Sequence, residues 1–209
     1  MNSKYTDKIR RRYQRISNLY DLIESIPERQ FSVWRKYFWS QVKGKKVLEL
    51  GVGTGKNMPY YPERLQITAV DFVPGMLEKA RQRANKLKLS VDLRMGDVQA
   101  LDFPDASFDA VVASFVFCTV PDPILGLREA LRVVKPGGQI LLMEHVRSEN
   151  PLMGVVMDLL NPLVVLTIGT HINRCTVANM QKAGIPIEEV EDLDRAHLFK
   201  LIRAYKPNQ

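Results

Sequence analysis

Three carboxylates in the first half of the chain stand next to small residues at the ends of apolar runs. Glu49 lies two positions before the first of three glycines at alternate positions in 51–55. Asp71 ends a second apolar run, and Asp97 follows a third. An acid at the end of a strand can accept both hydroxyls of a ribose, and a second acid can accept the exocyclic amine of adenine. Their common phasing predicts a nucleoside pocket.

The glycine spacing distinguishes between ligand classes. A phosphate-binding P-loop would have glycine at Leu50 and Ser or Thr at Asn57, so that class is excluded. A dinucleotide fingerprint would read G-x-G-x-x-G, whereas residues 51–55 read G-x-G-x-G. The compact loop preceded by Glu49 favours a cationic ligand over a pyrophosphate.

Four stretches together resemble the motifs of class I S-adenosylmethionine-dependent methyltransferases. They read LELGVGTG, AVDFVPGMLEKAR, RMGDVQALDFPDASFDAVVASFVF and EALRVVKPGGQILLMEHV. Within that superfamily the chain is most similar to the group of ubiquinone and menaquinone C-methyltransferases and bacterial phosphatidylethanolamine N-methyltransferases. The stretch HINRCTVANMQKAG, at 171–184, favours the last of these. The resemblance implies a Rossmann-like seven-stranded sheet with an antiparallel last strand. It also implies S-adenosyl-L-methionine as the cofactor and S-adenosyl-L-homocysteine as its product.

We predict that the cofactor is bound by residues of these motifs at the strand ends and in the loops after them. They are Glu49, Gly51, Gly53, Gly55, Asn57, Asp71, Phe72, Met76, Asp97, Val98 and Ser114.

From residue 44 onward, apolar runs alternate with segments of helical periodicity. This alternation predicts a parallel sheet with helices on both faces and a ligand at the carboxyl ends of the strands. The predicted strands are 45–50, 66–71, 90–95, 108–113, 139–145, 187–190 and 198–205, and the predicted helices of this region include 56–61, 75–87, 123–134 and 176–183. We interpret the chain as a single domain, with a helical arm at 1–43 and an α/β core at 44–209 that carries an apolar insertion at 148–172.

The N-terminal arm is basic. Residues 1–46 contain 12 Lys and Arg against 4 Asp and Glu, whereas the whole chain has a net charge of +7. Aromatic and aliphatic residues recur there at helical spacing, which predicts a basic amphipathic helix that binds an anionic membrane surface. A solvated face on a packed helix is the alternative, and nucleic acid is disfavoured because no recognised binding motif is present. The resemblance implies that this helix covers the cofactor, with Tyr13 and Tyr20 at the substrate and Tyr20 or Tyr13 at the reacting centre.

The apolar segment 151–170 admits three interpretations. Asp158, Asn161 and Pro162 interrupt it, and it contains no uncharged stretch of 18 residues, so we do not expect it to span a membrane. It could form the wall of a hydrophobic substrate tunnel, insert into the bilayer surface, or pack against the core.

Three residues in the second half of the chain are candidates for chemistry on a phospholipid amine. His145, which ends the fifth predicted strand, and His171 are candidate bases for the amine proton. Arg174 precedes a predicted helix and is a candidate ligand for the phosphate. We therefore predict N-methylation of phosphatidylethanolamine towards phosphatidylcholine. C-methylation of a quinone precursor, S-methylation of a small thiol, and a nucleoside-binding adaptor without chemistry are the alternatives.

The cysteines and the first residues of the sequence bear on the cellular compartment and on metal binding. Two cysteines form no disulfide framework or metal quartet, and no apolar leader follows Met1. These features predict a cytoplasmic enzyme, peripherally associated with the inner face of the membrane and without a metal site.

Overall fold

The computed structural model describes residues 28–167 and 169–208. The predicted N-terminal amphipathic helix, with Tyr13 and Tyr20, lies outside the described residues.

Seven strands form one mixed sheet in the order β3-β2-β1-β4-β5-β7-β6. The strands from β1 to β5 pair in parallel, and β7 is antiparallel to both β5 and β6. This arrangement confirms the predicted Rossmann-like sheet. The strand bounds are β1 Lys46–Leu50, β2 Gln66–Asp71, β3 Asp92–Met95, β4 Phe108–Ser114, β5 Val134–His145, β6 Ile187–Asp192 and β7 Phe199–Tyr205.

Helices cover both faces of the sheet because the central strands bury side chains on both sides. One face packs against α3 and α5, and the other against α1 and α2. The helix bounds are α1 Glu28–Ser40, α2 Pro74–Leu87, α3 Pro123–Val133, α4 Pro151–Thr167 and α5 Thr176–Lys182.

Two elements differ from the predicted bounds. The helix expected at 56–61 is a single 3-10 turn, Met58–Tyr60, because Pro59 and Pro62 restrict its continuation. Strand β5 begins at Val134, five residues before the predicted start, because the buried Val134 pairs with Phe108 across a register shift. Pro136, Gly137 and Gly138 therefore lie inside this strand.

Asp109 fixes the amino ends of three central strands. Its Oδ2 accepts hydrogen bonds from the backbone N–H groups of Lys45, at 3.0 Å, and Lys46, at 2.8 Å. Its Oδ1 lies 2.6 Å from Nζ of Lys135. These contacts lower the pKa of Asp109 to about 2. The predicted cofactor residues lie at the opposite edge of the sheet, where the carboxyl ends of the parallel strands meet.

Candidate functional site

The loop after β1 has a backbone that glycine suits best. Gly51 and Gly53 have φ of +63° and +56°. A Cβ on Gly51 would lie 2.6 Å from Cγ2 of Val116, whereas a Cβ on Gly53 would meet no atom within 4 Å. Gly51 therefore permits close packing of the loop, and Gly53 leaves open space above it.

That loop borders a cavity of about 720 Å³ at the carboxyl ends of the first four strands. The segment that follows β4 closes the cavity on the far side. Seven of the predicted cofactor residues line it, namely Gly51, Gly53, Asp71, Phe72, Met76, Asp97 and Val98.

Asp71 is held rigidly at the edge of this cavity. Its Oδ2 accepts from the N–H of Gly53 and its Oδ1 from the N–H of Val73, both at 2.9 Å. Burial raises the pKa of Asp71 to about 6, so the group is mainly ionised at pH 7. Each carboxylate oxygen has two acceptor sites, so the remaining sites can receive ribose hydroxyls.

Asp97 is oriented by a residue that the sequence analysis missed. Gln99 donates to Oδ1 of Asp97 from its backbone, at 2.9 Å, and from its side chain, at 3.0 Å. The side-chain oxygen of Gln99 accepts from the N–H of Asp122, the residue that caps α3. The sequence could have indicated Gln99 by its position two residues after Asp97, because an amide side chain there can close a local turn on the carboxylate.

A second cavity, of about 410 Å³, lies on the other side of the glycine loop. It shares Gly51, Gly53 and Phe115 with the larger cavity, so the two form one crevice across the loop. Predicted residues Asn57 and Ser114 line this half. Phe115 has φ of +58°, an unusual conformation for a large side chain and one that often occurs at functional sites.

Glu49 is buried beside this second half of the crevice. Its carboxylate accepts from Nδ2 of Asn57, at 2.6 Å, and from the hydroxyl of Tyr61. Burial raises the pKa of Glu49 to about 7. The remaining predicted cofactor residue, Gly55, packs against Met58 with φ of +80° and shapes the loop.

Arg35 of α1 also lines the smaller cavity, and the sequence analysis did not assign it. The side chain is only 5% exposed and donates to Oδ1 of Asn57 at 2.7 Å. Its guanidinium carbon lies 5.5 Å from the ring centroid of Phe115. Helical spacing could have indicated this orientation, because the buried Phe38 and Trp39 follow Arg35 by three and four residues.

Glu144 supports the segment that closes the larger cavity. It is fully buried in β5, and its Oε1 accepts from the N–H groups of Val116, at 2.9 Å, and Phe117, at 3.2 Å. Burial raises the pKa of Glu144 to about 7. The acid at this strand end therefore fixes backbone but, unlike Asp71, does not line the cavity.

An aromatic cluster stands next to the crevice, formed by Phe31, Trp34, Phe115 and Phe199. Neighbouring ring centroids in this cluster lie 5.0 to 6.0 Å apart. His145 extends the cluster, with its ring centroid 5.2 Å from that of Phe199. Burial lowers the pKa of His145, so its imidazole is neutral at pH 7.

His171 and Arg174 connect the segment before α5 to its surroundings. The N–H of His171 donates to the carbonyl of Cys118 at 2.9 Å, and its Nδ1 lies 3.3 Å from Nδ2 of Asn161. Burial and the charge of Arg174 lower the pKa of His171 to about 4. Arg174 donates to the carbonyl of Val120, next to the larger cavity, at 2.7 Å. The catalytic and phosphate-binding roles of these residues stay predictions.

Helix α4 exposes most of its large apolar side chains. Its polar side chains contact neighbouring segments: Asp158, itself 45% exposed, pairs with Arg147 at 2.8 Å, and Oδ1 of Asn161 accepts from the N–H of Ile172 at 3.1 Å. Met157 is buried, but Leu152 and Leu159 are 77% and 75% exposed. The other exposed members are Met153, Val155, Val156, Leu160, Leu163 and Leu166. This exposure contradicts the interpretation of 151–170 as core packing.

No helix in 28–167 or 169–208 combines the length and apolar character needed to cross a bilayer.

Comparison with known proteins places this site in a family. Residues 48–142 match a family model described as a methyltransferase domain. The chain is 40% identical over 116 residues to the phosphatidylethanolamine N-methyltransferase of Cereibacter sphaeroides, covering 54% of this chain and 57% of that relative, so it spans little more than half of the relative's length. It is 32% identical over 176 residues to a demethylmenaquinone methyltransferase of Staphylococcus epidermidis, covering 80% of this chain and 73% of the relative.

Solved structures show the same fold. A Thermotoga maritima structure described as an S-adenosylmethionine-dependent methyltransferase, possible histamine N-methyltransferase, matches with a TM-score of 0.72 and 21% identity, covering 94% of this chain and 99% of that one.

The sheet and its crevice define a nucleoside-binding α/β protein. The chain belongs to the S-adenosylmethionine-dependent methyltransferases, and its cofactor is S-adenosyl-L-methionine. The residues fit that group: Asp71 would hold the ribose, Asp97 the adenine amine, and the open space at Gly53 leaves room above the loop. When bound, the cofactor supplies an electrophilic methyl group on a cationic sulfur.

Proposed function

We propose that this methyltransferase acts on the amine of a membrane phospholipid, phosphatidylethanolamine in the first instance, at an anionic membrane surface. The observation that carries the proposal is the exposed apolar face of α4, which follows β5 and its terminal residue His145. The relative named phosphatidylethanolamine N-methyltransferase supports the same acceptor.

Helix α4 suits the surface of a bilayer in both energy and shape. Burying one leucine side chain fully contributes about 1.5–3 kcal/mol, so eight exposed apolar residues are a large unfavourable area in water. The helix has 17 residues, and its polar side chains Asp158 and Asn161 are paired with Arg147 and with the N–H of Ile172. It can therefore lie in the interface plane without burying an unpaired polar side chain of its own.

The basic N-terminal arm supports the same surface. Cations near an anionic leaflet contribute about 1 kcal/mol each. In this proposal the arm supplies charge attraction and α4 supplies apolar contact, two signals that act on one membrane.

A phospholipid amine must lose its proton before it can attack a methyl group. If its pKa is close to that of a lysine amine in water, about 10.4, the neutral form costs about 4.6 kcal/mol at pH 7. We assign the base to His145, because its imidazole is neutral and stands beside the aromatic cluster. His171 is the weaker candidate, since its pKa is about 4 and its Nδ1 contacts Asn161. Arg174 would bind the phosphate, and Tyr20 would orient the amine.

The test is a methylation assay that does not presuppose the acceptor. The purified chain is incubated with methyl-labelled cofactor and either phosphatidylethanolamine vesicles containing an anionic lipid or the same vesicles carrying demethylmenaquinone. Labelled mono- or dimethylated phosphatidylethanolamine is expected in the lipid extract. Label in the quinone alone would overturn the proposal. His145→Asn should reduce lipid methylation at least 100-fold while S-adenosylhomocysteine affinity stays unchanged.

C-methylation of a quinone precursor is the second candidate. The Staphylococcus epidermidis relative favours it, because that match extends over 80% of this chain. A quinone has no phosphate, so Arg174→Ala should leave its methylation unchanged but weaken that of a phospholipid about tenfold or more. Cofactor affinity is the control, since Arg174 also contacts the loop at Val120.

A further inference from the structure

We propose that Gln99 is a positioning residue that selects the purine of the cofactor, because it holds Asp97 as a hydrogen-bond acceptor towards the 6-position of the base. This role rests on the placement of adenine at Asp97. It goes beyond the proposed function, since selection of the purine does not depend on which acceptor is methylated.

Gln99 connects two walls of the larger cavity. It is 8% exposed and lines one wall together with Asp97. Its side chain reaches Asp122, which directly follows the lining residue Pro121 on the far side. The side chain therefore ties the turn after β3 to the segment that follows β4.

The hydrogen bonds of Gln99 allow one orientation of its amide. Its Oε1 accepts from the backbone N–H of Asp122 at 2.9 Å, and a backbone N–H can only donate. Its Nε2 therefore faces Asp97, where it lies 3.0 Å from Oδ1 and 3.2 Å from Oδ2. The reversed amide would bring two donors together at Asp122 and two acceptors together at Asp97. Because Asp122 caps α3, the start of a helix fixes the direction of these bonds.

This fixed amide determines what Asp97 offers to a ligand. Oδ1 accepts from the backbone N–H of Gln99, at 2.9 Å, and from its Nε2, whereas Oδ2 has the longer contact with Nε2. Oδ2 therefore has more capacity to accept from an amino group on the base. An oxo group at the same place would bring two acceptors together, which is unfavourable. The arrangement favours a 6-aminopurine over a 6-oxopurine.

Helix α3 also holds this turn through other residues. Oε2 of Glu129 accepts from the N–H of Leu101 at 2.8 Å. A Cβ on Gly126 would lie 3.4 Å from Cγ2 of Val98, so the helix approaches the turn closely. Glu129 thus supports the same turn through a residue other than Asp97, which makes it a control for a purely structural effect.

The experiment compares two ligands that differ at the 6-position of the purine. Titration calorimetry measures S-adenosylhomocysteine and S-inosylhomocysteine, in which an oxo group replaces the amine and N1 carries a proton. The wild type should bind S-inosylhomocysteine about 30-fold more weakly or worse. Gln99→Met keeps the length of the side chain without its hydrogen bonds, and should weaken S-adenosylhomocysteine about tenfold. It should leave S-inosylhomocysteine within about twofold, since a released Asp97 can turn to the N1–H.

Two further variants separate the direction of the hydrogen bonds from support of the turn. In Gln99→Glu the introduced carboxylate can still accept from the N–H of Asp122 but cannot donate to Asp97. This variant should therefore weaken S-adenosylhomocysteine at least as much as Gln99→Met. Glu129→Gln is the matched control, and it should change both affinities by the same factor, to within about twofold.

Three results would contradict this role of Gln99. Equal losses for both ligands in Gln99→Met would mean that the residue only supports the fold. A smaller loss in Gln99→Glu than in Gln99→Met would mean that the bond to Asp122 matters and the donor to Asp97 does not. Similar affinities of the wild type for the two ligands would show that Asp97 does not select the purine.

The wild type and Gln99→Glu keep the proposal open to refutation if Gln99→Met does not fold, which urea denaturation reports. None of these measurements uses a lipid, so failure of the phospholipid assay would leave the role of Gln99 standing.

Discussion

The cofactor crevice and helix α4 both come after strands at the carboxyl edge of the sheet. They differ in the kind of surface that they present. In the crevice, polar groups such as Asp71 and Glu49 are buried and held by named donors. On α4, Asp158 and Asn161 contact neighbouring segments, and most of the remaining exposed surface is apolar. The crevice has room for a small ligand, whereas the face of α4 needs an apolar environment that the described residues do not provide.

Under the proposed function, this difference means that cofactor and acceptor are recognised by separate parts of the chain. Variants in one part should therefore leave the measurement that reports on the other unchanged, which makes the comparison testable.

The largest effect is expected at Asp71. In Asp71→Asn, one side-chain position becomes a donor and faces either the N–H of Gly53 or that of Val73, since both carboxylate oxygens now accept from them. Losing a charged acceptor and disturbing the loop should weaken S-adenosylhomocysteine about 100-fold or more in titration calorimetry.

Vesicle binding of the same variant should stay at the wild-type level in a sedimentation assay. A simultaneous loss of membrane binding would show that the two regions are not separate.

A smaller effect is expected on the face of α4. Replacing Leu152, Leu159 and Leu163 by Gln should reduce partition onto anionic phosphatidylethanolamine vesicles at least tenfold, because apolar contact is lost. The unfolding free energy should change by no more than about 0.5 kcal/mol per site, since these side chains are solvent-exposed. Urea denaturation measures the second quantity.

Leu87→Gln on α2 is the matched control and should not affect partition, although Leu87 is also an exposed leucine. A loss of several kcal/mol in the triple variant would mean that protein, not lipid, covers this face.

The smallest effect concerns pH. Glu49 is a predicted cofactor residue, and the ammonium of a bound cofactor would favour its ionised form. Because the pKa of Glu49 is about 7, affinity for S-adenosylhomocysteine should rise about three- to tenfold from pH 6 to pH 8. In the ligand-free protein the sign is opposite. The folded state keeps a proton on Glu49 between the ordinary glutamate pKa of 4.5 and about 7, so the unfolding free energy falls as pH rises through that window.

Glu49→Gln should flatten both profiles, and vesicle binding should not follow either one. A pH-independent affinity in the wild type would remove Glu49 from the cofactor site.

Much of the crevice could be predicted because local sequence dictates it. Alternating glycines permit only a tight turn after β1, and an acid at a strand end projects where parallel strands open, so Asp71 and Asp97 could be placed from their spacing alone. The sheet followed from apolar runs that need cover on both faces.

Residues whose role depends on distant partners could not be placed in this way. Arg35 meets Asn57 only after α1 has packed on the sheet, and Gln99 acts through Asp122. Helix α4 was ambiguous because an apolar segment looks the same whether it is buried or exposed. Its orientation is set by the contacts of Asp158 with Arg147 and of Asn161 with His171. The periodicity of the sequence does not indicate these contacts.

Carboxylates at the two edges of the sheet take up protons at different pH. Asp109, at the amino edge, has a pKa of about 2, whereas Glu49 and Glu144, at the carboxyl edge, have pKa values of about 7. On acidification the carboxylates at the ligand-binding edge are therefore neutralised first, while Asp109 at the opposite edge keeps its negative charge. An acid-treated molecule would lose the electrostatics of its reactive edge well before the anchoring of its strands.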